Sequence, residues 1–405
     1  MNTSEKNNAA GNLYVVGTSE LGSGAPPPRE IAIAKYSTRG NRRWVVHDSD
    51  AGTGCYVQGG TLDQQENLLI LTECNGSYLT AKYDQAGHKL WMKRYQGKKK
   101  HSSFPYPIAV DAAGNVYVTG ISWQSASNTM GIDTVKYSPK GARLWVSNYA
   151  APGKDLDWVS GMAVDQGGNV YLVGTTYRNG DIYTRDMLTI KLGPDGKLKW
   201  AKRYDGPAHG GDSGRGLALD RDGNVYVSGY AASSATAADF LTIKYTPAGK
   251  RLWVARLVGA GIAFDCPNAI ALDPKGNAFI TGQATVSGTE TDFATAKYSP
   301  EGKLRWVKYY NGPVNSDWAE GLAVDAKGNA YVSGTSNGAT SKLDIVTIKY
   351  SSKGKQLWNK RYNGPFNDDD RAWYIGLDAT GNAYVCGSST GATTGRDMLM
   401  IKYDQ

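Results

Sequence analysis

The chain has 405 residues, 45 Lys and Arg against 37 Asp and Glu for a formal charge of +8, and 50 Gly, 26 Tyr and 11 Trp beside 6 Phe. Its apolar runs are strand-sized, far short of the roughly 18 residues of a membrane helix, and its basic residues recur along the chain without forming the block that marks a nucleic-acid binder. Short Val, Thr and Tyr runs between turn residues exclude a helical protein and leave an all-β chain.

From the N-terminus, "MNTSEKNNAAGN" lacks the charged and apolar regions of a signal peptide. The Asn of a "GN" pair then recurs at Asn12, Asn67 (as "EN"), Asn115, Asn169, Asn224, Asn277, Asn329 and Asn382, spaced by 48 to 55 residues. Eight units follow, at roughly 11–52, 53–99, 100–152, 153–207, 208–260, 261–313, 314–366 and 367–405. Each reads as four strands: A, as in "GLAVD"; B, as in "NAYVSG"; C, as in "DIVTIKY"; D, as in "KQLWNKRY". The Asp-x-x-Gly-Asn link between A and B supplies an Asp that bonds amides of its own turn and a Gly free to take positive φ. "SPKGA" and "SPEGK" do the same between C and D. Four antiparallel strands repeated at this period predict a single domain, an eight-bladed β-propeller, with seven blades as the alternative. Unit 1 is expected to begin at strand B and unit 8 to stop after strand C, so both are incomplete, and about 30 strands result. Strand A lies innermost and D outermost. The tight turns share one face, and the variable B to C and D to A loops share the other, where a local function belongs.

Two loops break the repeat: "SELGSGAPPPRE" at 19–30, and "QGKKKHSSFPYP" at 96–107, which places Lys98, Lys99 and Lys100 beside aromatics. Between them lie Cys55 and Cys74. Pairing Leu62 with Leu68 across the second hairpin makes opposing indices sum to about 130, and the two Cys sum to 129, so they face each other closely enough for a disulfide. A disulfide favours an oxidising compartment. Cys266 and Cys386 lie two blades apart and read as buried thiols. Aromatics gather on the variable face: Phe104, Tyr106, Trp123, Trp158, Tyr177, Phe264, Trp318, Trp373 and Tyr374. They suit a protein partner or a carbohydrate.

Two Asp series occur together in units 4 to 8. Asp186, Asp239, Asp292, Asp344 and Asp397 begin strand C; Asp157, Asp212, Asp265, Asp317 and Asp370 lie eight residues before the Asp that ends strand A. They read either as caps of loop amides or as cation sites, for which Ca²⁺ suits clustered hard oxygens. Lys35, Lys82, Lys136, Lys191, Lys244, Lys297, Lys349 and Lys402 recur in strand C and read as a blade requirement, an ion pair or a packed stem. His47, His88, His101 and His209 show no metal-ligand spacing, and no nucleophile elbow or phosphate loop appears.

The units resemble the bacterial β-propeller repeat family called SBBP, with tandem "GLAVD…GN…DIVTIKY…LW" segments and "RYDGP" at 203, "YNGP" at 310 and "RYNGP" at 361. The resemblance covers nearly the whole chain and implies a propeller, usually exported, with no catalytic residue. Trp44, Trp91, Trp145, Trp200, Trp253, Trp306 and Trp358 are similar to the tryptophan-docking motif of eight-bladed quinoprotein dehydrogenases and of the outer-membrane assembly scaffold BamB, which implies an indole packed between neighbouring blades. A quinoprotein enzyme implies an adjacent Cys pair, and the chain has none.

The function expected is therefore a non-enzymatic, extracytoplasmic propeller that presents its variable face to a protein partner of the cell envelope or exterior. Its candidate contacts are Lys98, Lys99, Lys100, Phe104, Tyr106, Trp123, Trp158, Tyr177, Trp318 and Trp373. A calcium-dependent carbohydrate module is the alternative. A glycan-active enzyme would need convergent acids in the central channel.

Overall fold

The structure, a computed structural model, describes residues 4–7, 12–20, 29–50, 52, 54–97, 103–123, 130–151, 156–177, 184–233, 238–258, 264–286, 291–314, 316–391 and 395–405. Its elements are 31 strands and no helix, among the described residues. They form eight sheets, each in chain order; seven have four strands and the last has three, Arg371–Leu377, Ala383–Gly391 and Gly395–Tyr403. The fold is an eight-bladed β-propeller. The first blade has an inner strand that its sequence does not announce: Ser4–Asn7 pairs antiparallel with Leu13–Glu20, from Ser4 opposite Val16 to Asn7 opposite Leu13. The strand is four residues long, and backbone pairing, which needs no apolar alternation, holds it in place. The chain comprises two compact units, residues 1–181 with 190–199, and 182–189 with 200–405.

Blade construction is alike in both units. In the seventh blade, Asp325 Oδ1 accepts the N–H groups of Lys327 at 2.9 Å and Asn329 at 2.8 Å, and Asn329 Nδ2 donates to Asp325 Oδ2 at 2.7 Å. Gly328 turns the chain at φ 78°. In the second blade Glu66 takes that place at φ 62°, a conformation that costs a residue with a Cβ roughly 1–2 kcal/mol. The "EN" variant therefore keeps the hairpin.

The strand C lysines are part of the same device. Lys82 meets Asp63 of its own blade's turn at 2.8 Å, Lys244 meets Asp220 at 3.3 Å, and Lys297 meets Asp273 at 3.5 Å. Each ammonium also lies over the ring of the strand B aromatic or donates to the next blade: Lys297 sits 4.6 Å from the Phe279 centroid and 3.2 Å from the Ser352 carbonyl. Those contacts match the blade requirement expected for this series.

The tryptophans dock as their spacing implies. In the first unit the Nε1 atoms of Trp44, Trp91 and Trp145 donate to the carbonyls of Gln85, Pro139 and Pro194 at 2.9–3.0 Å. In the second, Trp200, Trp253 and Trp306 donate to Pro247, Pro300 and Ser352 at 2.9–3.2 Å. Every acceptor lies in the C to D turn of the next blade. In the seventh blade strands B and C are buried nearly throughout, the inner strand is half-buried and the outer strand Gln356–Tyr362 is largely exposed; in the last blade strand C, Gly395–Tyr403, has no outer strand over it and is itself largely exposed or half-buried.

Cys55 and Cys74 are bonded, with Cα atoms 4.2 Å apart, and face each other in register. One extra residue between Val57 and Gly59 shifts that register, which is why their indices sum to 129 where Leu62 and Leu68 sum to 130. Cys266 and Cys386 are buried thiols.

Candidate functional site

Inner strands carry the feature that builds the site. Their pairing with strand B slips by one residue at Val57/Gly59, Val159/Gly161, Gly214/Gly216, Pro267/Ala269, Ala319/Gly321 and Ala372/Tyr374, and in the third blade between Pro105 and Ile108, over two residues. Each one-residue slip is a β-bulge, which leaves one residue unpaired and re-aims its side chain. The bulged residues are Gln58, Ser160, Arg215, Asn268, Glu320 and Trp373. Opposite the bulge a strand B glycine is obligatory in every one of these blades but the second, where Thr72 stands: a Cβ on Gly334 would lie 2.1 Å from the Trp318 carbonyl oxygen, and one on Gly174 would lie 1.8 Å from that of Trp158. The Gly that closes "YVSG" thus answers to the bulge and not to a turn.

In the second unit the bulges of the seventh and eighth blades open a cavity of about 250 Å³. Trp318, Glu320, Thr335, Arg371 and Trp373 line it, with Leu343 and Ala372. Trp318 stands directly opposite Thr335 across the strand pair Asp317–Val324 and Ala330–Asn337, two residues from Glu320. Burial pushes the Glu320 carboxyl up to about 7, with the Arg215 guanidinium pulling the other way. Arg371 and Arg396 share one carboxylate, Asp369, at 3.2 and 2.8 Å. Two buried N–H groups on the lining residues, Nε1 of Trp373 and Nε of Arg371, find no acceptor among the described residues. Asn268 ties the neighbouring bulge down by donating to the Ala319 carbonyl at 2.9 Å.

Of the aromatics singled out in the sequence, the structure brings Trp318 and Trp373 together here, and in the first unit it sets Tyr106 against Trp158 with ring centroids 5.3 Å apart. Trp123 and Tyr177 are half-buried. Phe104, Phe264 and Tyr374 are 41, 41 and 47% exposed, although Phe264 also packs edge-on against Tyr230 at 4.5 Å. Lys98, Lys99 and Lys100 lie outside the described residues, as do residues 21–28 of the first loop and His101. Both loops are shorter than the sequence reading placed them, because Ser19, Glu20, Arg29 and Glu30 extend strands and Ser103–Val110 is an inner strand. His47 belongs to the outer strand Arg42–Asp48 and bonds Glu30.

Nine of the ten series aspartates are buried; Asp397 is exposed. The set near strand A caps loop amides. Asp157 accepts from Ala151 N at 2.7 Å, Asp265 from Thr285 N at 2.8 Å, Asp317 from Gly312 N at 2.6 Å, and Asp370 from Gly364 N. Asp212 accepts from both Gly206 N and Ala232 N. In the strand C set, Asp186 pairs with Arg203 at 2.8 Å and Asp344 with Arg361 at 2.7 Å, while Arg256 is the nearest cation to Asp239, whose carboxyl burial raises. Asp292 is buried at the start of its strand. One cluster has metal-like spacing: carboxylate oxygens of Asp186, Asp205 and Asp212 lie within 4.8 Å of one another. Burial and the two neighbouring carboxylates raise Asp212 to about 6.

A second cavity, of about 600 Å³, sits on the opposite, tight-turn face of the second unit, between the Asp220, Asp273 and Asp325 hairpins. The sequence reading assigned no role to that face. It also missed Glu320 and Arg371. The signal for Glu320 was present: the residue just before "GLA" or its counterpart differs in each of the six units with a one-residue slip, while the residue after it is Gly in four of them.

Comparison with known proteins agrees with this architecture. Residues 202–234 and 305–339 match the SBBP family, described as a beta-propeller repeat, so the chain carries SBBP-type repeats. An uncharacterized WD repeat-containing protein of Acanthamoeba polyphaga mimivirus is 22% identical over 85% of this chain, and the match takes in 32% of that protein. Puromycin hydrolase superposes with a TM-score of 0.53 at 10% identity, over 96% of this chain and 58% of its own. Porphyromonas gingivalis dipeptidyl peptidase 4 gives 0.50 at 10% identity, over 95 and 57%. At such identities the likeness is one of fold. The chain spans a third of the curated relative and somewhat over half of these two structures.

Proposed function

We propose that this chain, a propeller built from SBBP-type repeats, is a non-catalytic, exported scaffold that holds a protein partner on the face bearing the B to C and D to A loops. The observation that carries the reading is the exposure, within each unit, of rings near the starts of inner strands, Phe104 in the first and Phe264 and Tyr374 in the second, since exposed rings are the usual anchors of a protein interface. The Cys55–Cys74 disulfide supports an oxidising compartment. Among the described residues no helix is long and apolar enough to cross a membrane. The reading is tested by capture from a native cell-envelope extract with the wild type and with a Phe104→Ser, Tyr374→Ser variant of unchanged melting temperature. A stoichiometric partner lost with the variant supports it; a partner indifferent to both substitutions, or none, refutes it.

A calcium-dependent carbohydrate module is the second reading, favoured by the approach of Asp186, Asp205 and Asp212. Calorimetry with CaCl₂ tests its cation: saturable heat abolished by Asp205→Asn supports it, and an absence of heat removes calcium from the account.

A further inference from the structure

We infer that the cavity between the seventh and eighth blades is a subsite for a single pyranose residue of a glycan. The inference rests on the carbohydrate reading and gives it a place, without requiring calcium. Size comes first. At about 250 Å³ the cavity is smaller than the roughly 300–1,000 Å³ of sites that enclose drug-sized ligands, so it takes one ring and not an extended chain. Chemistry comes second. Two indoles, Trp318 and Trp373, supply flat apolar surface, while the polar lining combines donors and an acceptor: Arg371 and Trp373 donate, Glu320 accepts and Thr335 does either. A pyranose matches that mixture, because its C–H faces stack on aromatic rings and every hydroxyl both donates and accepts.

The buried Nε1 of Trp373 and Nε of Arg371 sharpen the case. A buried donor without an acceptor is costly, and of the four such side-chain nitrogens among the described residues, on Arg185, Arg256, Arg371 and Trp373, two fall on residues lining this one small cavity. A ligand hydroxyl or ring oxygen reaches them once the two side chains turn these N–H groups, closed to solvent in the empty cavity, toward it. An ammonium ligand fits less well: two guanidiniums, Arg371 and Arg396, lean on the one carboxylate of Asp369, and a third, Arg215, acts electrostatically on the Glu320 carboxyl. Local charge is therefore positive, which repels a cation.

The experiment is saturation-transfer NMR on the full chain with four probes, the methyl pyranosides of glucose, galactose, mannose and N-acetylglucosamine, in CaCl₂ and in EDTA. Transfer to the ring protons of at least one probe is expected in both buffers, with a Kd of the order of 1 mM, typical of one weakly held small ring. Trp373→Ala, which removes both a ring and a donor, is expected to weaken binding about tenfold; Trp373→Phe, which removes only the donor, falls between. Glu320→Gln and Arg371→Lys keep the shape of the wall and serve if Trp373→Ala does not fold; each is expected to weaken binding measurably. Transfer that survives all four substitutions undiminished overturns the subsite and leaves the carbohydrate reading standing. An absence of transfer to every probe in the wild type overturns both, including the case in which the cavity receives a side chain of a protein partner.

Discussion

Nε1 of Trp253 donates a hydrogen bond of 2.9 Å to the carbonyl of Pro300, in the turn of the next blade, and the same indole lies against Gly302 of that turn. Blade is thus locked to blade by a contact in which Trp contributes both its apolar body and its polar edge. Trp253→Phe keeps most of the ring and deletes the donor, leaving the Pro300 carbonyl with only the more distant Lys244 ammonium at 3.3 Å. The expected loss is about 1 kcal/mol from the hydrogen bond plus a smaller packing term. A denaturant midpoint unchanged from wild type would show that the indole N–H contributes nothing to blade docking.

Gly334→Ala tests the bulge. The added Cβ would fall 2.1 Å from the Trp318 carbonyl, so the inner strand must move. Overpacking of this kind costs about 1–3 kcal/mol, and because Trp318 lines the cavity, its fluorescence should shift with the melting temperature. Gly282→Ala, opposite the Cys266 carbonyl at 2.1 Å, should destabilise alike but leave the Trp318 signal unmoved.

Glu320 sets a pH dependence. Its carboxyl is raised by burial to about 7, opposed by Arg215, so the folded chain holds the proton more tightly than the unfolded chain. The stability this contributes is complete below the unfolded carboxyl's pKa near 4.3 and is lost as pH rises through about 7. Wild type should lose melting temperature relative to Glu320→Gln between pH 5 and 8. Parallel melting curves across that range would refute the assignment.

The Cys55–Cys74 bond closes a loop with a sequence separation of 19. Cross-linking a loop of this size stabilises by about 3 kcal/mol in the chain-entropy treatment. Cys55→Ser with Cys74→Ser should lower the melting temperature, and dithiothreitol should lower that of wild type but not of the double variant. Intact mass under non-reducing conditions provides the direct check, and two free thiols at these positions would remove the argument for export.

Much of the architecture was legible because it is local. A turn Asp meets its amides within four residues, and strand register follows from index sums, which is how Cys55 could be set opposite Cys74. The first inner strand was not legible, since "SEKN" has no apolar period and is placed by pairing with Leu13–Glu20 alone. The cavity was half legible. Trp318 and Trp373 stood out as aromatics in a variable stretch, but Glu320 and Arg371 resemble ordinary strand and loop charges until the fold sets them beside the neighbouring blade. The aspartate series was visible as a pattern. Whether a carboxylate caps an amide or meets a cation depends on loop backbone, and residue type does not encode that.

The bulges separate two kinds of selection on one strand. Six single positions, from Gln58 to Trp373, are excused from the ladder while the residues on either side remain bound to it. A new side chain there breaks no backbone hydrogen bond of its blade, and its cost is confined to what that side chain touches, as with Asn268 on the neighbouring bulge. Variation is thus local to one blade and its neighbour, in a chain whose repeats are otherwise held alike by their turns and tryptophans.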